Sequence, residues 1–258
     1  MTHGLYLYGI LPADSLDSPD SSARAKTLTQ TLEPLKGLDQ QPIQTQTIDR
    51  FTVLYSEAQQ TRYLSSRRNL LGHERVLETA MEAGYRNLLP LRFGLTVADW
   101  PTVESQLITP YGEQMESLLS KLEGAREVSI KIFWNPDEEL QQLLVENDAL
   151  RAERDRMAGQ ALSMEQVIAI GQSIEQAMTD RQHQIIQTFQ SQLSSLAIDQ
   201  VENPTLTAEM IYNAAYLIPW EQESRFAERV EQLDANYPDR LTIRYNNFTA
   251  PYNFAQLN

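Results

Sequence analysis

Two stretches roughly 120 residues apart, Gly4 to Leu11 and Glu127 to Trp134, carry the period-two pattern of a strand, and this recurrence constrains the fold more than any other feature of the chain. In the second stretch Val128, Ile130, Ile132 and Trp134 fall on one face. The two stretches lead into similar series of elements. After the first come a helical segment from Arg24 to Leu35 closed by Lys36-Gly37, strand-like runs from Ile43 to Ile48 and Phe51 to Ser56 on either side of Asp49-Arg50, a helical run from Gln60 to Glu82 ended by Gly84, and a strand from Asn87 to Phe93. After the second come helical stretches from Pro136 to Met157 and Ser163 to Leu196, strand-like Leu196 to Val201 and Met210 to Ile218, a helix from Glu221 to Asn236 and a strand from Arg240 to Tyr245. Both halves read β-α-β-β-α-β.

The implied class is α+β, with two ferredoxin-like α+β domains, the second extended by a long helical arm. An interrupted helix from Pro101 to Gly124 links them, which puts the boundary near residue 125. Residues 1–125 then form an N-terminal domain with a connector helix, and 126–258 a C-terminal domain with a long helical insertion and an aromatic tail bearing Phe248, Tyr252 and Phe254. Along the arm Leu140, Leu143, Asn147, Leu150, Arg154 and Met157 recur at spacings of three and four, and Val167, Ile170, Ile174, Met178, Ile185, Phe189 and Leu193 form a second stripe. The two stripes are expected to pack against each other or against the second sheet. Asn147 and Arg154 either set helix register or lie at the edge of the seam.

Composition narrows the function. The chain has 35 acidic against 21 basic residues, a formal charge of −14, so phosphate backbones and anionic lipid surfaces are disfavoured and neither nucleic acid nor membrane is expected as a partner. Apolar runs such as Ala214 to Trp220 fall far short of the roughly 18 residues of a spanning helix. The absence of cysteine removes disulfides, thiolate metal sites and cysteine nucleophiles. No basic residue precedes the first apolar stretch, so a cytoplasmic protein is expected.

Catalytic motifs fail one by one. His73-Glu74 opens like the zinc motif H-E-x-x-H, but Leu77 stands where the second imidazole belongs. The 10 glycines are scattered singly, leaving neither a phosphate cradle nor a nucleophile elbow. Acidic groups such as Asp137-Glu138-Glu139 sit at helix starts and read as solvated faces. No enzyme, cofactor or metal site is expected. Arg92, between Leu91 and Phe93 in a strand-like pattern, is expected to tie local backbone or carboxylates together. The one basic concentration is Arg62, Arg67, Arg68 and Arg75, with Arg68 and Arg75 on one helix face. It either receives the acidic patch of a partner or pairs with Glu74, Glu78 and Glu82. Residues 1–125 carry a charge of −4 and residues 126–258 one of −10, so the first half is the less repulsive toward an acidic surface.

Four stretches, taken in order, resemble the gas vesicle protein family GvpF/GvpL. They are Leu5-Tyr6-Leu7-Tyr8-Gly9-Ile10; His73-Glu74-Arg75-Val76-Leu77 leading to Leu89-Pro90-Leu91-Arg92-Phe93-Gly94; Glu127-Val128-Ser129-Ile130-Lys131; and Asn213-Ala214-Ala215-Tyr216-Leu217. The family's tail pattern is kept at Pro251, Tyr252 and Phe254, without its Gly and Trp. The resemblance implies a non-enzymatic accessory or minor structural protein of gas vesicle assembly, found at the gas vesicle, with the small hydrophobic shell protein and other gas vesicle accessory proteins as partners. Arg62, Arg67, Arg68 and Arg75 would then rim the shell contact. The alternative is a generic cytoplasmic protein-binding adaptor with an acidic helical arm.

Overall fold

The computed structural model describes residues 4–13, 32, 34–157 and 163–257. The fold is α+β, with two antiparallel sheets and the chain divided into two compact units. The first unit takes Met1–Val128, Leu217–Glu221 and Asn247–Asn258, and the second takes Ser129–Tyr216 and Gln222–Asn246. The helix expected from Arg24 to Leu35 lies almost wholly outside the described residues.

In the first unit, β1 (Leu5–Pro12) is buried along almost its whole length and lies between β3 (Phe51–Glu57) and the short β4 (Leu89–Pro90). The outer strand β2 (Gln44–Ile48) pairs with β3 across the turn at Asp49, whose φ of 53° is the left-handed conformation a two-residue hairpin turn needs. The order β2-β3-β1-β4 is the one a split β-α-β arrangement produces. Of the strand expected over Asn87 to Phe93, only Leu89–Pro90 pairs regularly with β1, because Pro90 has no N–H to give and is tolerated at a sheet edge. A second short strand, β5 (Thr96–Val97), also pairs with β1.

Helix α1 (Arg67–Glu82) begins later than the sequence pattern suggested. Ser66 caps it, its Oγ accepting from the Asn69 N–H, and the residues from Gln60 to Ser65 remain outside. It buries His73, Val76, Leu77, Ala80 and Met81 beside Tyr6, Tyr8, Leu54 and Tyr63. The interrupted helix expected from Pro101 consists of α2 (Trp100–Val103), a π-helical turn at Glu104–Ile108, and α3 (Thr109–Leu122).

In the second unit the sheet order is β7 (Asp199–Glu202), β8 (Met210–Pro219), β6 (Ala125–Trp134) and β9 (Leu241–Thr249), the same pattern by rank as in the first. β8 is central, and its first nine residues are all buried. β9 is an edge strand, buried at its two ends and exposed or half-buried between them, with the exposed cation Arg244 on that edge strand.

The arm departs from expectation at Asn147. Instead of one helix from Pro136 to Met157 there are α4 (Pro136–Glu146) and α5 (Asp148–Met157). Asn147 ends the first, and its Oδ1 caps the second by accepting from the N–H groups of Ala149 and Leu150, so its polarity serves a helix boundary and not a seam. Arg154 is exposed and pairs with its neighbour Asp155. Leu143, Leu144 and Leu150 pack with Ala177 and Met178 of α6 (Met164–Ser194). Further along α6, Ile185, Phe189 and Leu193 are buried, whereas Met164, Val167 and Ile168 at its start are exposed. The expected packing of the stripes therefore holds along the arm except for those first turns. Helix α7 (Glu223–Asp234) completes the unit.

Candidate partner-binding surface

The stretch from Arg62 to Arg75, which leads into α1 and forms its first turns, is unlike an ordinary solvated segment. Arg62, Arg67, Arg68 and Arg75 are all exposed, and among the described residues none makes an ion pair or hydrogen bond, with Glu74, Glu78 and Glu82 or anything else. Between them stand Leu64, Leu70 and Leu71, at 76%, 42% and 53% exposure. The register set by His73, Val76, Leu77 and Ala80 turns Leu71 outward beside Arg68 and Arg75, at spacings of three and four, whereas Leu70 shares the face of His73 and Leu77 in the first turn and Leu64 precedes the cap. The result is a short stretch of an acidic chain with three exposed leucines and, among the described residues, four unpaired cations.

Beneath it, His73 has a structural role. Its Nε2 lies 3.1 Å from the Leu91 carbonyl, which can only accept, so Nε2 carries the proton. Nδ1 then accepts from the Tyr6 hydroxyl at 2.9 Å, and that hydroxyl in turn accepts from the Gly94 N–H. Burial pushes the His73 imidazole down to about 4, which keeps it neutral. These bonds fasten the loop from Leu91 to Gly94 to both α1 and β1. Arg92, within that loop, does not tie anything down: it is exposed and makes no ion pair or hydrogen bond among the described residues. The backbone on either side of it is held by His73 and Tyr6, which leaves the guanidinium free.

A buried carboxyl group sits near the start of β6. Glu127, 2% exposed, accepts from both the backbone N–H and the side-chain amide of Asn253 at 2.9 and 2.6 Å. Burial raises its carboxyl to about 7 in spite of those two donors. Glu127 thus fixes the tail, where Ala250, Pro251, Phe254 and Ala255 are buried and Lys121 lies over the Phe254 ring. The guanidinium groups of Arg86 and Arg126 both lie over the Trp220 ring, at 4.1 and 4.6 Å from its centroid.

One carboxylate read as solvated is not. Glu139 is 1% exposed and receives Arg181 on Oε2 at 2.6 Å and Arg240 on Oε1 at 2.7 Å, while Arg181 also reaches Glu146. Burial raises the Glu139 carboxyl, but hydrogen bonds from Arg240 and Arg181 outweigh it and the net direction is down. Asp137 and Glu138 are exposed as expected. The sequence offers no local signal for Glu139, because its partners lie 42 and 101 residues away. Glu127 and Asn253, 126 residues apart, were missed for the same reason. Among the described residues no three His, Cys, Asp or Glu side chains come together as a metal site, and no helix is long and apolar enough to cross a membrane.

These features describe a two-unit α+β protein whose buried polar groups serve architecture and whose described surface includes exposed cations and leucines. The family described as "Gas vesicle synthesis protein GvpL/GvpF" matches residues 4–256, and the chain belongs to that family. It is 54% identical over 257 residues to gas vesicle protein F of Dolichospermum flosaquae, covering 100% of this chain and 99% of that one. Among solved structures it is similar to gas vesicle protein GvpF from Anabaena sp. PCC7120, with a TM-score of 0.81 at 50% identity over 99% of this chain and 97% of that one. It is similar as well to GvpF from Microcystis aeruginosa, with a TM-score of 0.79 at 52% identity over 99% and 100%. The resemblance drawn from four short stretches and the α+β class are both borne out.

Proposed function

We propose that the chain is a non-enzymatic accessory or minor structural protein of gas vesicle assembly, acting at the gas vesicle in the cytoplasm, and that it binds the small hydrophobic shell protein through its N-terminal domain. The observation that carries this reading is the exposure of Leu64, Leu70 and Leu71 within the same short stretch as the exposed Arg62, Arg67, Arg68 and Arg75. Burying one leucine contributes about 1.5–3 kcal/mol, whereas an exposed ion pair contributes about 0–1 kcal/mol, so the leucines would supply affinity and the arginines orientation and encounter rate. Co-purification of the full-length chain with shell protein tests it. Leu64→Ser with Leu71→Ser should reduce capture at all salt concentrations, and Arg67→Glu with Arg68→Glu should reduce it mainly at low salt. Capture unaffected by both pairs removes this surface from the function.

A second reading has its own observation. Met164, Val167 and Ile168 form an exposed apolar stripe at the start of α6, as an adaptor with a helical arm would require. Shell protein capture lost on changing Val167 and Ile168 to Ser, with the leucine variants unaffected, would move the contact to the arm.

A further inference from the structure

The first unit carries a cleft of about 640 Å³ that none of the contacts above uses. Its walls are the loop from Leu91 to Leu95, the π-helical turn with Leu107, Tyr111 of α3, and the tail at Tyr252 and Ala255 to Leu257. The volume falls within the roughly 300–1,000 Å³ of ligand sites, and a cavity of about 150 Å³ is enough for one benzene, so the cleft has room for several side chains.

Three features set it apart from a gap in packing. Arg92, the exposed and unpartnered cation, lies in its wall, in a chain with 35 acidic residues that could have met it. The loop bearing Arg92 is held at Leu91 by His73 and at Gly94 by Tyr6, so the guanidinium is presented from a fixed backbone. The π-helical turn, closed by the Thr109 N–H on the Glu104 carbonyl, is a rare geometry that recurs at functional sites, and it places Gln106 and Leu107 in the cleft.

We propose that this cleft binds a short apolar segment of a partner polypeptide that carries a carboxylate beside its aliphatic or aromatic anchors, with Arg92 as the residue that pairs with the carboxylate. The mainly apolar lining takes the anchors, and a planar guanidinium at the wall is suited to two parallel hydrogen bonds with a carboxylate. Gln106 and Gln256, both exposed and both in the lining, offer amide groups that match a peptide backbone, for which a fatty acid or similar amphiphile has no counterpart. This site is separate from the arginine-leucine stretch at the start of α1, and the inference does not depend on which protein that stretch receives.

The test uses the full chain and a benzophenone-bearing pool of pentapeptides X-X-Asp-X-X, with X drawn from Leu, Ile, Val and Phe, alongside the matching Asn pool and dodecanoate as competitor. Photolabelled residues are read by mass spectrometry. Labelling is expected at Leu107, Tyr111 or Leu257, roughly 10- to 100-fold weaker with the Asn pool and with Arg92→Glu, partly restored by Arg92→Lys, and unchanged by Arg67→Glu with Arg68→Glu. Arg92 is exposed, so its variants should fold, and unaltered circular dichroism checks this. No labelling in the cleft, equal labelling by the Asp and Asn pools, or Arg92-dependent binding of dodecanoate without peptide labelling would each overturn the proposal.

Discussion

Replacing Glu127 with Gln should change how the stability of the protein depends on pH, because two buried groups of the first unit oppose each other. The Glu127 carboxyl ordinarily titrates near 4.5 and in the fold near 7. Below pH 4.5 it is protonated folded or unfolded. Between 4.5 and 7 the unfolded chain gives up the proton and the folded one keeps it, so stability falls as pH rises, by about 3 kcal/mol in all. His73 does the reverse. Its imidazole moves from 6.5 down to about 4, so between those values the unfolded chain is protonated and the folded one is not, and stability rises with pH by a similar amount. From about pH 4.5 to 6.5 the two slopes nearly cancel. In Glu127→Gln only the His73 slope remains. The amide can keep both contacts if Asn253 turns its own amide over, donating from its backbone N–H to the Gln oxygen and accepting from the Gln nitrogen. The variant should therefore gain about 3 kcal/mol of stability between pH 4.5 and 6.5 relative to the native chain, or roughly 6–12 °C in Tm for a chain of this size. At pH 8 it should be the more stable of the two. Thermal denaturation of both proteins across pH 4.5–8 is the assay, and comparison at matched pH removes the contribution of every other carboxylate. Parallel Tm curves, or a variant less stable at pH 8, would refute the assignment of a buried, proton-retaining Glu127.

Other perturbations have equally definite outcomes. Leu150→Asp places a charge among Leu143, Leu144 and Met178 and should cost about 3 kcal/mol or more, seen as faster amide exchange throughout α4 and α5. Unchanged exchange would mean that the arm is not held by this cluster. Glu139→Ala leaves Arg181 and Arg240 without their shared carboxylate and should destabilise the second unit by about 3–5 kcal/mol, whereas breaking the exposed pair of Arg154 with Asp155 should change stability by about 0–1 kcal/mol, both read from urea denaturation. Gly37→Ala should cost about 1–3 kcal/mol by urea denaturation, because its Cβ would stand 2.1 Å from the Tyr8 hydroxyl that receives the Leu38 N–H. A neutral effect would show that the Tyr8 ring can move aside.

Local pattern carried much of the architecture. The alternation of Val128, Ile130, Ile132 and Trp134 is a statement about one strand and its two faces, and the structure has that strand; Gly84 and Gly124, at φ of 99° and 69°, end the helices they were expected to end. Pattern failed where a residue's role is fixed by something distant. Asn147 at a seam spacing looks the same whether it sits in a continuous helix or caps the next one, and only the turn of the chain decides. Glu139 shares its local context with Asp137 and Glu138, yet the three part company because Arg181 and Arg240 arrive from other elements. Leu64, Leu70 and Leu71 belong to the same apolar run as Val76 and Leu77, and the run alone does not reveal that the helix starts only after Ser66 or that its first turns leave their leucines uncovered. The cation set at Arg62, Arg67, Arg68 and Arg75 was visible in the sequence, whereas the freedom of Arg92 depends on hydrogen bonds made by His73 and Tyr6 to the backbone on either side of it.

The tail held by Glu127 has a consequence for biosynthesis. A nascent chain emerges N-terminus first, so β1, β3 and α1 are available early, while Ala250, Pro251 and Phe254, which close the first unit, emerge more than a hundred residues later. Asn253 follows Glu127 by 126 residues, so at about 5–20 residues per second that wait is on the order of 6–25 seconds. Throughout it Glu127 has no Asn253 to donate to it and the aromatic core around Tyr6 and Tyr8 lacks Ala250 and Tyr252 from its cover. The first unit to be translated is thus the last to be completed, and the whole second unit is made while its predecessor waits unfinished.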